Sequence, residues 1–269
     1  IFACGAETDR HLGVPGEDLP GSHTATEFVA WYNSHPDYRE RSFDLSAEVV
    51  AIVGQGNVAA DVCRILAKSV DELKATDIAE HALDALSASR VREIHVIGRR
   101  GAAQAKFTNK ELKELGELPS CDAVVDPQDL ELDAASRTEI EAKANYVSAK
   151  NVEIFRAFAA RAPTGKPRRI VFQFLKSPVA ITGAARMEQV VLARNRLEGA
   201  PLQQVARETG ETDPLRCGLL FRSIGYSGVP IPGVPFDARR GVFPTQDGRI
   251  VDGSSAVVKK VFKIDLTGA

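Results

Sequence analysis

The stretch Glu48-Val49-Val50-Ala51-Ile52-Val53-Gly54-Gln55-Gly56-Asn57-Val58-Ala59 decides the fold. Its first half is a continuous apolar run, as expected of a strand buried on both faces of a parallel sheet. Gly54 follows at once, and a helical pattern runs from Asn57 to Ala67. Between them stands G-x-G-x-x-A: Gly54, Gln55, Gly56, Asn57, Val58, Ala59. In a dinucleotide-binding turn the first Gly permits the tight turn and the second lets the backbone approach a pyrophosphate. The small third residue brings helix and strand close. The helix N-terminus then offers free N–H groups and partial positive charge to phosphate. A Gly-rich turn that merely opens a helix, with no ligand, is the plainer alternative.

The next strand is Glu93-Ile94-His95-Val96-Ile97, ending at Gly98-Arg99-Arg100-Gly101. A site for the unphosphorylated dinucleotide usually places a carboxylate there, to accept from the ribose 2′-hydroxyl. Arg in its place suits a 2′-phosphate, which guanidinium groups grip bidentately. Arg99 and Arg100 therefore predict NADP(H); a solvated basic turn is the alternative.

Outward from this pair, helices are expected over residues 26–32, 77–88 (capped by Thr76), 108–118 (Thr108 and Glu111 as a capping box) and 135–148. Strands are expected at 123–125, 152–155, 169–175, 186–197 and 218–224. The alternation Val171-Phe172-Gln173-Phe174 fits an antiparallel pair, and Lys166-Pro167-Arg168-Arg169 reads as a solvated turn. The fold class is α/β: a Rossmann-like, doubly wound parallel sheet carrying a β-rich insertion.

Composition agrees. The 269 residues are 44% hydrophobic and 26% charged, ordinary globular usage. A net charge of -2 gives no general attraction to nucleic acid. No stretch approaches the roughly 18 uncharged apolar residues of a membrane span. Cys4, Cys63, Cys121 and Cys217 lack ligand spacing and read as free thiols. His11, His23, His35, His81 and His95 form no ligand set, so no metal site is expected. Reduced thiols and no visible signal suggest the cytoplasm, with the mitochondrial matrix as alternative.

Denser matches extend along the chain. They are Gly5-Ala6, Val14-Pro15-Gly16-Glu17-Asp18-Leu19-Pro20-Gly21, Phe28-Val29-Ala30-Trp31-Tyr32-Asn33, the Gly54–Ala59 loop with Asp61, Gly98-Arg99-Arg100-Gly101, Phe107-Thr108 with Glu111-Leu112, Ser223-Ile224-Gly225-Tyr226, and Val234-Pro235-Phe236-Asp237. On these the chain resembles the adrenodoxin reductase and bacterial NADPH–ferredoxin reductase family, up to about Ile250. The resemblance implies a flavoprotein oxidoreductase in which NADPH gives hydride to FAD and electrons pass to a ferredoxin- or adrenodoxin-type iron–sulfur partner. By position it makes Arg99 and Arg100 the 2′-phosphate grip, with Glu111 in support. It puts Gly56, Asn57 and Val58 on the pyrophosphate, and Asp61 and Glu114 near the nicotinamide as catalytic carboxylates that organise proton or water. Asp61 equally suits a helix N-terminal turn, and Glu114 a solvent-facing position with Lys110 at i−4.

The family builds its flavin site from an N-terminal G-x-G-x-x-G and a C-terminal G-W-x-x-R-G-P-x-G. The sequence carries neither, and Trp31 is its only tryptophan. The expectation is residues 1–5 ending a flavin-domain strand, 6–224 binding NADP(H), and 225–269 beginning a return segment with an atypical tail. On this reading FAD belongs to the intact enzyme and is not held by this chain alone. The alternative is an isolated, non-catalytic NADP-binding module or fragment.

Overall fold

The computed structural model describes residues 5–6, 8–252 and 257–262. Most of the expected strand end at 1–5, and Lys263-Ile264 of the tail, lie outside the described residues. In chain order the elements are β1 (Thr8–Asp9), β2 (Ser22–Thr24), α1 (Ala25–Tyr32), β3 (Val49–Val53), α2 (Asn57–Ala67), α3 (Val70–Lys74), α4 (Glu80–Ser87), β4 (Glu93–Ile97), α5 (Asn109–Leu115), β5 (Cys121–Val125), α6 (Ala134–Glu141), α7 (Tyr146–Ala159), β6 (Arg168–Gln173), β7 (Lys176–Thr182), β8 (Gln189–Glu198), β9 (Val205–Arg216), β10 (Leu219–Arg222), β11 (Tyr226–Ser227), β12 (Thr245–Gln246), β13 (Arg249–Val251) and β14 (Val257–Phe262). They fall into two compact units, residues 12–223 and residues 1–11 with 224–269.

The larger unit holds a six-stranded sheet in the order β2-β10-β3-β4-β6-β5, every pairing parallel. Val50 and Ile52 of β3, Ile94 and Val96 of β4, and Phe221 of β10 enter one core with α1, α2, α4, α5 and α7. The alternate residues Ala51, Val53, Ile97 and Leu220 are buried too, which is why these strands read as unbroken apolar runs. The insertion is the antiparallel sheet β7-β8-β9. Its Ile181, Val190 and Leu192 are buried, whereas β9 is exposed along most of its length.

The observed elements depart from the sequence reading in several places. Val152–Phe155, expected as a strand, lies within α7, where Val152, Phe155 and Phe158 are buried at helical spacing. A four-residue apolar run cannot by itself tell a strand from a buried helix turn. The expected helix over 135–148 is two helices separated by a 3-10 turn, Lys143–Asn145. The 169–175 strand pairs in parallel with β4 and β5. Its alternation arises because Phe172 packs on Phe155, ring centroids 5.2 Å apart, while its neighbours are half-buried. Lys166–Arg169 is no solvated turn. Lys166 Nζ donates to Leu118 O at 2.8 Å and Arg168 Nε to Val91 O at 3.2 Å, as β6 begins. Thr76 caps nothing: its hydroxyl donates back to Leu73 O, and α4 starts at Glu80. Reciprocal boxes are complete instead at the unforeseen α3, Ser69 with Glu72, and at α1, Thr24 with Glu27. Strand 218–224 joins the parallel sheet as β10, while β7 and β9 were not foreseen.

In the smaller unit, β1 pairs antiparallel with β11 and β12-β13-β14 form a sheet. Arg10 ties this unit, donating from Nε to Tyr226 O at 3.0 Å and from its terminal nitrogen to Arg240 O at 3.2 Å. Phe236 and Phe243 meet edge to face at 5.2 Å.

Candidate functional site

The site region is the set of turns at the carboxyl ends of β10, β3 and β4. The chain runs from β3 to β4 on one side, and β10 returns on the other side of β3. This is the switch point at which open α/β sheets place a ligand. Gly54 N donates to Ile97 O at 2.9 Å and Ser223 N to Val53 O at 2.7 Å, which knits the three ends together. Gly54 has φ +138°, and a Cβ there would stand 2.0 Å from Ser223 O. Only glycine permits both the dihedral and the approach.

Gln55 points inward. Its Nε2 donates to Gln173 O at 3.0 Å and its backbone O accepts from Lys106 N at 2.7 Å. Its amide lies over Gly98, where a Cβ would come within 2.2 Å of it. Gly56 is different. It is the N-cap of α2 with φ −126°, a conformation open to any residue, and an added Cβ would meet nothing within 4 Å. No side chain caps α2. Asn57 turns its Oδ1 to Thr108 N at 2.9 Å instead. Val58 is half-buried against the core, and Ala59 is fully buried where α2 meets it. An uncapped helix start beside a glycine with free space over its Cα fits a diphosphate.

The turn after β4 is built from outside. The carbonyls of Gly98, Arg99 and Arg100 accept from Lys176 N at 3.0 Å, Asn195 Nδ2 at 2.9 Å and Leu175 N at 3.1 Å. Arg99 is exposed and Arg100 half-buried. Neither guanidinium has an ion-pair or hydrogen-bond partner among the described residues.

The three carboxylates singled out in the sequence come together, but around Arg64 of α2. Arg64 pairs with Asp61 at 2.6 Å and with Glu111, and its Nε lies 3.0 Å from Glu114 Oε1 without hydrogen-bond direction. Lys68 is 3.8 Å from Glu114, so Glu114 faces the α2 cations rather than Lys110. Glu111 also leaves its capping box half made. Thr108 Oγ1 accepts from Glu111 N at 3.5 Å, but Thr108 N is taken by Asn57.

Sequence reasoning missed two features. Asn195 is a buried polar residue on β8, at a bulge between Ala193 and Asn195. Flanked by Arg194 and Arg196 on the strand, it carried no signal in the sequence. The second is the buried pair of Glu17 with Arg222, at the end of β10. Burial pushes the Glu17 carboxyl up. Donation from Leu12 N and Gly13 N, each at 2.7 Å, and from Arg222 outweighs burial and holds it below the usual glutamate range.

A parallel sheet with a Gly-rich turn, an uncapped helix and an Arg-Arg turn at neighbouring strand ends defines a Rossmann-type dinucleotide-binding class. Comparison with known proteins narrows this. The chain is 45% identical over 251 residues to NADPH-ferredoxin reductase FprA of Mycobacterium tuberculosis, covering 93% of this chain and 54% of that protein. It is 40% identical to the mitochondrial NADPH:adrenodoxin oxidoreductase of Bos taurus, covering 94% of this chain and 53% of that one. The solved structure of Mycobacterium tuberculosis FprA in complex with NADPH superposes with a TM-score of 0.84 at 45% identity, over 93% of this chain and 54% of that chain. No family model matches the chain. The chain belongs to the NADPH–ferredoxin reductase and adrenodoxin reductase family, and it spans about half the length of the curated relatives it matches.

Proposed function

We propose that this chain forms the NADP(H)-binding part of a flavin-dependent ferredoxin–NADP⁺ reductase. The observation that carries the reading is the pairing of the Gly54–Gly56 turn at the bare start of α2 with Arg99 and Arg100 at the next strand end. The likeness to a reductase solved with NADPH supports it. In this reading Gly54, Gln55, Gly56, Asn57, Val58 and Ala59 form the pyrophosphate turn, with Gln55 acting from beneath as a brace. Arg99 and Arg100 clamp the 2′-phosphate, and a carboxylate in their place would repel it. Glu111 acts through Arg64, which orders the neighbouring end of α5. Asp61 and Glu114 are proposed to organise water or a proton at the nicotinamide end, their charge balanced by Arg64 and Lys68.

The family's FAD would be the hydride acceptor, passing electrons to an iron–sulfur ferredoxin or adrenodoxin. Among the described residues one strand–Gly-turn–helix unit is present, and the reading gives it to NADP(H). These residues therefore do not fit FAD. No helix among the described residues is long and apolar enough to cross a membrane. The cytoplasm is the proposed compartment, with the matrix as the alternative that the mitochondrial relatives supply.

Calorimetric titration with NADP⁺ and NAD⁺ tests the proposal. NADP⁺ should bind with a preference that Arg99→Ala with Arg100→Ala abolishes. Binding of neither nucleotide would overturn it.

A further inference from the structure

The three tethers on the Gly98–Arg100 turn all come from one place: the start of β7 and the bulge of β8. We infer that Asn195 is a positioning residue for 2′-phosphate recognition, and that the β7–β8 arm holds the arginine turn in its anion-binding shape. This rests on the NADP(H) reading above and deepens it.

A trans peptide points its C=O and N–H in opposite directions, and no cis peptide occurs among the described residues. The carbonyls of Gly98, Arg99 and Arg100 are drawn to Lys176 N, Asn195 Nδ2 and Leu175 N. The N–H groups of Arg99, Arg100 and Gly101 must then face the other way. None of them donates to a protein acceptor among the described residues. Successive N–H groups turned to one side form an anion-binding concavity, here on the stretch that carries the two unpartnered guanidinium groups. Any one peptide flip would remove a donor and swing an arginine.

Asn195 is the centre of this arm. It is buried, with 4% of its surface exposed. Its Nδ2 donates to Arg99 O at 2.9 Å and to Ser177 Oγ at 2.8 Å, and its own N donates to Leu175 O at 2.7 Å. Leu175 in turn donates to Arg100 O from a left-handed conformation, φ +54°. The side-chain bond to Arg99 O is the one tether of the three that a substitution can remove without altering the backbone. Asn195 stays clear of the ligand itself: both of its amide hydrogens are already committed.

The test uses the whole chain and two probe pairs, NADP⁺ against NAD⁺ and 2′,5′-ADP against 5′-AMP. With Asn195→Ala, affinity for NADP⁺ and 2′,5′-ADP should fall about 10-fold, while NAD⁺ and 5′-AMP bind as before. A merely structural role would weaken all four probes together, and that outcome overturns the inference. If Asn195→Ala does not fold, Ser177→Ala replaces it. It loosens the amide and should give a selective loss of about 2-fold for the phosphorylated probes; an unselective or absent effect there also overturns the inference. Arg99→Ala with Arg100→Ala separates the two levels. If that pair loses selectivity while the Asn195 variants keep it, the positioning role fails alone. If wild type shows no preference for the 2′-phosphate, the underlying NADP(H) reading fails.

Discussion

The turns that leave β3 and β4 sit side by side and are built on opposite principles. The Gly54–Gly56 turn is local. Its shape comes from glycine dihedrals, a close approach to Ser223 and the helix that starts one residue later. The Gly98–Arg100 turn leads only into a single 3-10 turn, Ala102–Gln104. Its carbonyls are held by Leu175, Lys176 and Asn195, far along the chain. In the proposed reading the first turn would bind an anion through a helix end, and the second through donors that the insertion holds in place. Changes in the first should therefore register as folding defects or as loss of any nucleotide. Changes in the second should register as loss of discrimination.

The largest effect is expected at Gly54. In Gly54→Ala the Cβ meets Ser223 O at 2.0 Å at φ +138°, and two neighbouring backbones must part. Equilibrium denaturation should show a loss of about 4 kcal/mol, with binding of both nucleotides gone. Unchanged stability would mean the turn is not the rigid element described. Next comes Arg99→Ala with Arg100→Ala. Removing two charge-assisted contacts should weaken NADP⁺ about 100-fold. Stability should move by no more than about 0.5 kcal/mol, since neither guanidinium has a partner among the described residues. A smaller effect separates the two glycines of the first turn. Gly56→Ala should leave stability within about 1 kcal/mol, because its φ is ordinary and its Cβ has room. It should weaken NADP⁺ and NAD⁺ equally, by about 10-fold, as a methyl group enters the pyrophosphate path. Titration of both nucleotides reads this directly; a selective loss would move Gly56 out of the shared part of the site.

The same contrast explains what the sequence could show. β3, the turn and α2 were legible because strand, glycine and helix signals are contiguous and agree with one another. The arginines were legible as residue types, since charge at that strand end has a chemical meaning. Their scaffold was not, because Asn195 reaches Arg99 through tertiary structure and nothing in its neighbours Arg194 and Arg196 marks it. Glu17 and Arg222 were hidden for the same reason, 205 residues apart. Val152–Phe155 misled because a four-residue apolar run carries no period of its own; its helical spacing shows only across the whole of α7, which packs Phe155 on Phe107, Phe172 and Phe174. The Arg64 cluster shows a further limit. The resemblance set Glu111 with the 2′-phosphate grip and Asp61 and Glu114 near the nicotinamide; that all three meet at Arg64 follows from how α2 and α5 pack.

Acid should act on the folded chain in two steps, histidines first and carboxylates later. His95 lies within β4, buried, and its Nε2 bonds to Glu93, which also pairs with Arg169. Its Nδ1 is buried without a partner. Protonation would place an N–H there with no acceptor. Burial pulls the imidazole below its ordinary value; Glu93 opposes this, and Arg169 and Lys176 add to it. The unfolded chain thus takes up the proton first, so this residue lowers stability as pH falls from about 6.5. Glu17, beside β10, behaves otherwise: its carboxyl is held low, and its contribution is lost only below the usual glutamate range. His23, packed edge to face on Phe43 at 4.8 Å, is lowered by burial too and adds to the first descent. His95→Gln should therefore flatten the fall that begins below about pH 6.5, by up to about 1.4 kcal/mol per pH unit, without removing it. The later descent, to which Asp44, Glu72, Asp122 and Asp133 also contribute, should stay in place in His95→Gln and shrink in Glu17→Gln. Denaturation curves across this range decide the matter. An unaltered upper slope in His95→Gln would assign the whole first step to His23, and with it to the β2–β10 side of the sheet rather than to β4.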